Sequence, residues 1–420
     1  MSRQGLKAQP EFAWHSAGTN LSSFLTETAR GELILSDKAE NNQAVHRIST
    51  LDGFRALAIL LVISYHYTVR WALPIDPANH FPAGQIFNGV TLLDYGWVGV
   101  EFFFVISGFV ILMTLERCRN GLDFAIRRVA RLWPALLVAA TLTTATMFAI
   151  GPQDWQVSPY DYATSILAIG PRLTSRLLHH PGINWVDGAY WSLWVEFRFY
   201  ALVATTYFLA RKLFLTAWLA IQTILFGYTV LAAPMLDRFI DSLPYFTLGL
   251  FLYEVFKRNE RQRFAVFGCV AAGIMILYYA AVGRVTALGA TPQGCLISNI
   301  LIFGMFYLFL IDHKVLRPFK LAPVTLLGQA SFSLYLLHEN IGVAILRLMP
   351  QRFYPATILL VLSGMIVASL MIFRWVEVPG KNLILRCARR SDAFSIGSHQ
   401  VMPVAQAVIL KAEPGQTGTS

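Results

Sequence analysis

Three stretches of this chain, residues 264–283, 287–311 and 354–376, are apolar and free of Lys, Arg, Asp and Glu save for Arg374 near the end of the last. A helix needs about 20 apolar residues to cross the hydrocarbon core of a bilayer. Only helices and closed barrels satisfy their backbone polar groups there. The three stretches therefore predict membrane-spanning helices. Composition agrees, because 55% of the 420 residues are hydrophobic and 14% are charged, where a soluble domain carries about 25% charged residues. That balance excludes an ordinary soluble enzyme, a secreted disulfide scaffold and a disordered chain. Cys118, Cys269, Cys295 and Cys387 form no CxxC and no paired spacing, so no metal site and no disulfide framework is expected.

The expected fold is all-α, a polytopic integral membrane helix bundle of about ten transmembrane helices. The spans read as 54–73, 94–115, 132–151, 191–210, 213–235, 242–256, 264–283, 287–311, 321–345 and 354–376. The sixth is the weakest, since only Ser242 to Tyr253 is uncharged there. Residues 1–50 read as a flexible cytoplasmic lead without an apolar run of signal-peptide length. Residues 51–378 form the transmembrane domain and 379–420 a cytoplasmic tail. The connection 152–190 holds a mildly apolar piece, Tyr162–Gly170, that fits a short re-entrant or interfacial helix.

Basic residues set the orientation. One set of loops and the tail hold eighteen of them, including Arg127, Arg128, Arg131, Lys257 and Lys381, and the opposite set holds seven. Both termini are expected on the cytoplasmic side, which an even number of spans satisfies. The net charge of +10 is then a property of cytoplasmic loops, and no nucleic-acid partner is expected.

Ionisable residues inside spans are costly and are functional candidates for that reason. Arg55 and His66 are eleven residues apart on the first span. Eleven steps of 100° bring them to about the same helix face, roughly 16 Å apart in depth. Glu101 on the second span has a depth close to that of His66, and a His–carboxylate pair would orient the ring and stabilise its protonated form. Ser107 follows on the same helix. Arg128 and Arg131 are three apart and share a face if helical, which suits phosphate groups. Glu196, next to Trp191 on the fourth span, and His338 on the ninth also lie toward the outside. Plainer roles fit the same residues. Arg55 can snorkel to headgroups, Arg128 and Arg131 can be a positive-inside cluster, Glu196 can pair with Arg198, Trp191 can belong to an interfacial belt, and Ser107 and His338 can bond the backbone or a neighbouring helix.

Taken together the motifs resemble the membrane acyltransferase-3 family. Leu51-Asp52-Gly53-Phe54-Arg55 followed by His66 resembles its opening motif, and Gly99-Val100-Glu101-Phe102-Phe103 through Ser107-Gly108-Phe109 its second-helix motif. Arg128 and Arg131 before Pro134 resemble its Arg-x-x-Arg signature. Trp191-Ser192-Leu193 with Glu196, and Ser333-Leu334-Tyr335-Leu336 with His338, resemble its later motifs. The matches run in family order over about residues 48–378; Ala56 stands where the family usually has Gly, and Phe332 where it often has Tyr. The chain resembles the stand-alone type, without a fused extracytoplasmic domain.

The resemblance implies an acyl-CoA-dependent O-acyltransferase, acetyl being the expected group, in a bacterial inner membrane. It implies no permanently bound cofactor. Acyl-CoA serves as co-substrate, and a sugar or other hydroxyl compound as acceptor. On this reading Arg55, Arg128 and Arg131 hold the CoA phosphates, His66 is the general base with Glu101 beside it, and Ser107, Trp191, Glu196 and His338 shape the acceptor end. A proton-coupled exporter of a lipid-linked or acylated product is the alternative, with His and Glu as a proton relay. The sequence shows no internal repeat of the kind many transporters carry.

Overall fold

A computed structural model of the chain describes residues 49–87, 90–232, 238–282, 290–350 and 353–390. The expected lead up to residue 48 and the tail beyond 390 lie outside the described residues. Among the described residues all regular structure is helical and no strand occurs.

Helix α1 (49–65) passes into a π segment, His66–Arg70. After the short α2 (Thr91–Asp94) come α3 (Val98–Leu115) and α4 (Gly121–Ile150). The connection 152–190, where a short helix was expected at Tyr162–Gly170, holds α5 (Pro159–Ile166) and α6 (Pro171–Leu178). Then follow α7 (Trp191–Leu209), α8 (Phe214–Ala232), α9 (Arg238–Lys257), α10 (Gln262–Ala281) and α11 (Pro292–Leu310). Three short pieces come next, α12 (Ala322–Gln329), α13 (Ser331–Leu337) and α14 (Asn340–Arg347). Helix α15 (Tyr354–Ile372) runs through a π segment, Phe373–Glu377, into α16 (Val378–Arg390).

Local chemistry sets several starts. The Asn120 side chain accepts from Asp123 N and begins α4 eleven residues before the expected span, which puts Arg127, Arg128 and Arg131 on helix turns. Ser158 and Asp161 form a reciprocal capping box at α5, satisfying N–H groups that the helix cannot bond itself. Residues 379–390, expected as tail, are helical as part of α16 and pack back on α4, where Gly380 meets the ring of Pro134.

Among the described residues seven helices are long and apolar enough to cross a membrane: α3, α4, α8, α9, α10, α11, and α15 with its extension. The weak sixth span is one of them, as α9. The three other expected spans are helical too. However, α1 turns π at His66, α7 carries Glu196 and Arg198, and 321–345 is broken into α12, α13 and α14. Burial separates centre from rim, since the spanning windows of α3 and α9 are 72% buried and those of α11 and α15 28%. The rim helices expose Leu301, Tyr307, Leu359 and Leu360, as a bundle bathed in hydrocarbon requires.

The central pair is held by close backbone approach. A Cβ on Gly108 of α3 would run into the Phe246 carbonyl of α9, and one on Gly249 into the Val105 carbonyl. Small residues at such a crossing let packing replace the hydrophobic drive that lipid does not supply. Phe246 then stacks on Phe104 at 4.5 Å and on Phe199 of α7 at 4.1 Å.

Beyond α1, a loop is tied to the connection before α5 by His80. Its Nδ1 lies 2.6 Å from Asp76 Oδ2 and its Nε2 lies 2.7 Å from Asp154 Oδ2. The ring packs between Trp71 and Trp155, centroids 5.7 and 5.0 Å away. Burial raises the Asp76 carboxyl, but the His80 N–H and ring outweigh it and hold it below its ordinary value of 3.8. A carboxyl depressed by folding adds stability above its unfolded value, and that stability is lost as pH falls through the lower folded value. Asp76→Asn is therefore expected to lower the melting temperature in detergent at neutral pH. The gap to wild type should close below about pH 4; a gap that widens on acidification would contradict this account.

Candidate active site

The site is built around the break between α13 and α14. His338 and Glu339 are a turn, not helix, so the ninth span bends where the sequence pattern reads one helix. Backbone groups freed by such a break need partners in a water-poor interior. Asp187, fully buried just before α7, supplies one to Asn340 N. Its Oδ2 accepts from Asn340 N at 3.0 Å and its Oδ1 from Ala189 N at 2.9 Å. The Asn340 side chain donates to Val186 O at 3.1 Å. From α1's π segment, Tyr67 donates its hydroxyl to the His338 carbonyl at 2.9 Å.

The break brings two side chains to His66. Glu339 Oε1 lies 3.4 Å from His66 Nε2, and His338 Nε2 lies 3.3 Å from His66 Nδ1. His66 Nδ1 is also 2.8 Å from the Val62 carbonyl one turn back. A carbonyl only accepts, so in the neutral ring Nδ1 carries the proton and Nε2 keeps its lone pair. His338 repeats the arrangement, with Nδ1 2.8 Å from the Tyr335 carbonyl.

His66 and Glu339 face a cavity of about 480 Å³. Its wall includes Trp71, Trp97, Trp191 and Tyr335, with Glu101, Arg70 and Arg238 among the charged groups. The Arg238 guanidinium lies 4.8 Å over the Trp191 ring. Tyr335 donates to the Ala189 carbonyl at 3.0 Å, and its oxygen is 2.8 Å from Ser192 Oγ. Glu101 is 6% exposed and its Oε2 has no hydrogen-bond partner. It shares the cavity with His66, but the carboxylate in contact with the imidazole is Glu339, so the expected pairing of His66 with Glu101 is corrected. Sequence spacing compares depth and not azimuth, and the α13–α14 break was not foreseen.

Ser107 and Glu196 are not in the cavity wall. Ser107 donates to Glu196 Oε1 at 2.7 Å and Tyr200 donates to the same oxygen at 2.5 Å. Glu196 is thus bonded across helices rather than to Arg198, whose guanidinium packs 5.0 Å from Trp194 and 4.6 Å from Phe239. Trp191 does line the cavity, whereas His338 is fully buried and meets the site through His66.

Arg55, Arg128 and Arg131 are close enough for their charges to act on one another, and Lys381 of α16 joins Arg128 and Arg131. They are not equivalent. Arg55 bonds Asp52 at 2.5 Å, and Arg131 bonds Glu377, which also accepts from Ser333 at 2.8 Å. Among the described residues Arg128 has no ion pair. Its guanidinium lies 5.7 Å from the Phe124 ring and 5.8 Å from Tyr200, and its buried Nε has no partner. Tyr200 therefore adjoins both Arg128 and Glu196, and Glu196 bonds Ser107 of α3, the helix that also carries Glu101.

Sequence reasoning missed Glu339, Asp187, Asn340, Gly188, Glu377 and Lys381. Glu339 and Asn340 directly follow His338, but a continuous helix would turn them away from it. The role of Asp187 depends on a contact 153 residues along the chain, which no local pattern announces.

A family described as an acyltransferase domain matches residues 48–374, and the chain belongs to that family. It is 26% identical over 363 residues to a protein of Komagataeibacter xylinus provisionally named membrane-bound transacylase BcsY, covering 80% of this chain and 83% of that one. It is 24% identical over 374 residues to the peptidoglycan O-acetyltransferase OatA of Listeria monocytogenes, covering 79% of this chain and 55% of OatA. A shorter match, 36% over 112 residues, is to a Bacillus subtilis protein provisionally named peptidoglycan O-acetyltransferase YrhL, and covers 24% of this chain and 14% of that one. No solved structure matches.

Gly188 makes room for the Glu339 carboxylate, because a Cβ there would stand 2.7 Å from Oε1. Gly188→Ala is expected to push the carboxylate off His66 and to lower acyl transfer about as far as Glu339→Gln does, with the melting temperature nearly unchanged. Full activity in Gly188→Ala would mean that the Glu339 position is not required.

Proposed function

We propose that the chain is an integral membrane O-acyltransferase that moves an acyl group, acetyl first among them, from cytoplasmic acyl-CoA to a hydroxyl of a carbohydrate or glycan acceptor. The observation that carries this reading is His66, with Nδ1 tied to Val62 and the Nε2 lone pair presented beside Glu339 at an aromatic-lined cavity. A sugar hydroxyl is a weak nucleophile at neutral pH and needs a base. On this proposal His66 Nε2 takes the hydroxyl proton as the oxygen attacks the thioester carbon. The C–S bond breaks, the ester forms, and the proton passes to the leaving thiolate. Glu339 stabilises the imidazolium while it lasts. Glu101, with its free buried oxygen, receives a hydrogen bond from another acceptor hydroxyl, and Trp191 and its aromatic neighbours stack on the ring of the sugar.

In the same proposal the arginine end faces the cytoplasm, with ten spans and both termini on that side, in a bacterial inner membrane. Arg128, alone of the three arginines without a carboxylate, takes most of the CoA phosphate charge. Arg55 and Arg131 complete the basic rim. The pantetheine arm then runs past Tyr200, Glu196 and Ser107, and the two substrates meet without sharing a compartment. The glycan acceptor is favoured by the named activity of OatA, of which this chain covers 55%, and by the aromatic wall.

The test is transfer of label from radiolabelled acetyl-CoA to a glycan acceptor by the purified protein in detergent. Covalent label on the acceptor is the expected result; proton-dependent uptake into vesicles with no covalent label would favour export. His66→Ala should reduce transfer by about 10²–10⁴-fold with CoA binding intact. Arg128→Ala should weaken CoA binding by roughly tenfold or more. Equal loss of CoA binding in both variants would remove the separation of roles.

A further inference from the structure

We propose that His66, His338 and Glu339 form a binding site for one Zn²⁺ ion per chain, and that the ion switches the enzyme off by taking the lone pair of the base. The site requires three donors that converge and a vacancy toward the cavity. One donor atom from each of the three residues lies within 4.8 Å of those of the other two. His66 Nε2 and Glu339 Oε1 are 3.4 Å apart, which matches the edge of a tetrahedron with metal–ligand bonds of about 2.0–2.1 Å. Two imidazoles and one carboxylate with a fourth position open is a donor set that zinc accepts.

The histidines are prepared for it. Each holds its Nδ1 against a carbonyl of its own helix, Val62 for His66 and Tyr335 for His338, both at 2.8 Å. That contact fixes the tautomer and leaves Nε2 as the donor, the outer arrangement usual around metal-bound histidine. His338 Nε2 gives up only a long contact, 3.3 Å to the far nitrogen of His66. His338 and Glu339 are buried, so water competes weakly for the ion once it is in place. His66 and Glu339 line the cavity, which supplies the entry path and the fourth position. Imidazole nitrogen selects against Mg²⁺ and Ca²⁺, which prefer oxygen donors.

Metal binding follows from the geometry alone. Inhibition rests on the reading of His66 as the base, because a coordinated Nε2 cannot accept a proton. Chelator-treated full-length protein in detergent should therefore be titrated with ZnCl₂ by calorimetry, and transfer activity followed across the same range. One ion should bind to wild type, Mg²⁺ should not, and saturation should lower transfer by about 10²-fold or more. Glu339→Gln, close in shape, should weaken Zn²⁺ roughly tenfold or more, and His338→Ala should do the same. Zinc affinity unchanged in both variants, or no binding in wild type, overturns the proposal and leaves the base untouched. Binding without inhibition overturns the proposal and the role of His66 together. Loss of activity on chelator treatment overturns it as well, since the ion would then be required.

Discussion

The fixed point of the structure is the pair of hydrogen bonds that buried Asp187 accepts from Asn340 N and Ala189 N. Without the first of them the interruption between α13 and α14 would leave the buried Asn340 N–H unsatisfied, a cost that ordinarily favours a continuous helix. With it the chain can turn at His338 and Glu339. That turn is what carries a carboxylate and a second imidazole to His66. A substitution at Asp187 thus acts on His66 through the backbone at Glu339 and Asn340.

The polar groups of the interior are arranged in steps. The basic rim comes first, with Arg128 held between aromatic rings and its two companions neutralised by Asp52 and Glu377. Tyr200, Glu196 and Ser107 form the next step, bonded to one another across α7 and α3. Glu101, Glu339 and His66 form the last, at the cavity. The middle step is partnered within itself, whereas Arg128 Nε in the first and Glu101 Oε2 in the last have no hydrogen-bond partner among the described residues. Buried polar groups that satisfy one another fix helix register as well as bonding capacity.

Much of this was legible because period and hydropathy act locally. The all-helical fold and the spans at α3 and α8 through α11 follow from rise, rotation and the dislike of hydrocarbon for charge. The pairing of His66 with Glu339 was not legible, because it depends on a broken helix whose cause sits 153 residues upstream in Asp187. The difference between Arg128 and Arg131 was also hidden. Both occupy one helix face, and only the placement of Glu377 at the end of a π segment decides which of them is neutralised.

Under the proposed function the two ends meet different demands. The basic rim gathers guanidinium and ammonium groups from α1, α4 and α16. Phosphates need little more than that, since charge attraction is long-ranged and each oxygen accepts from several directions. The histidine end allows no such latitude. A proton moves over a hydrogen-bond distance, and an error of an ångström removes most of the benefit. There the chain uses a π turn, a helix break, a buried aspartate and a glycine with no room for a side chain, all to hold one nitrogen and one carboxylate oxygen 3.4 Å apart.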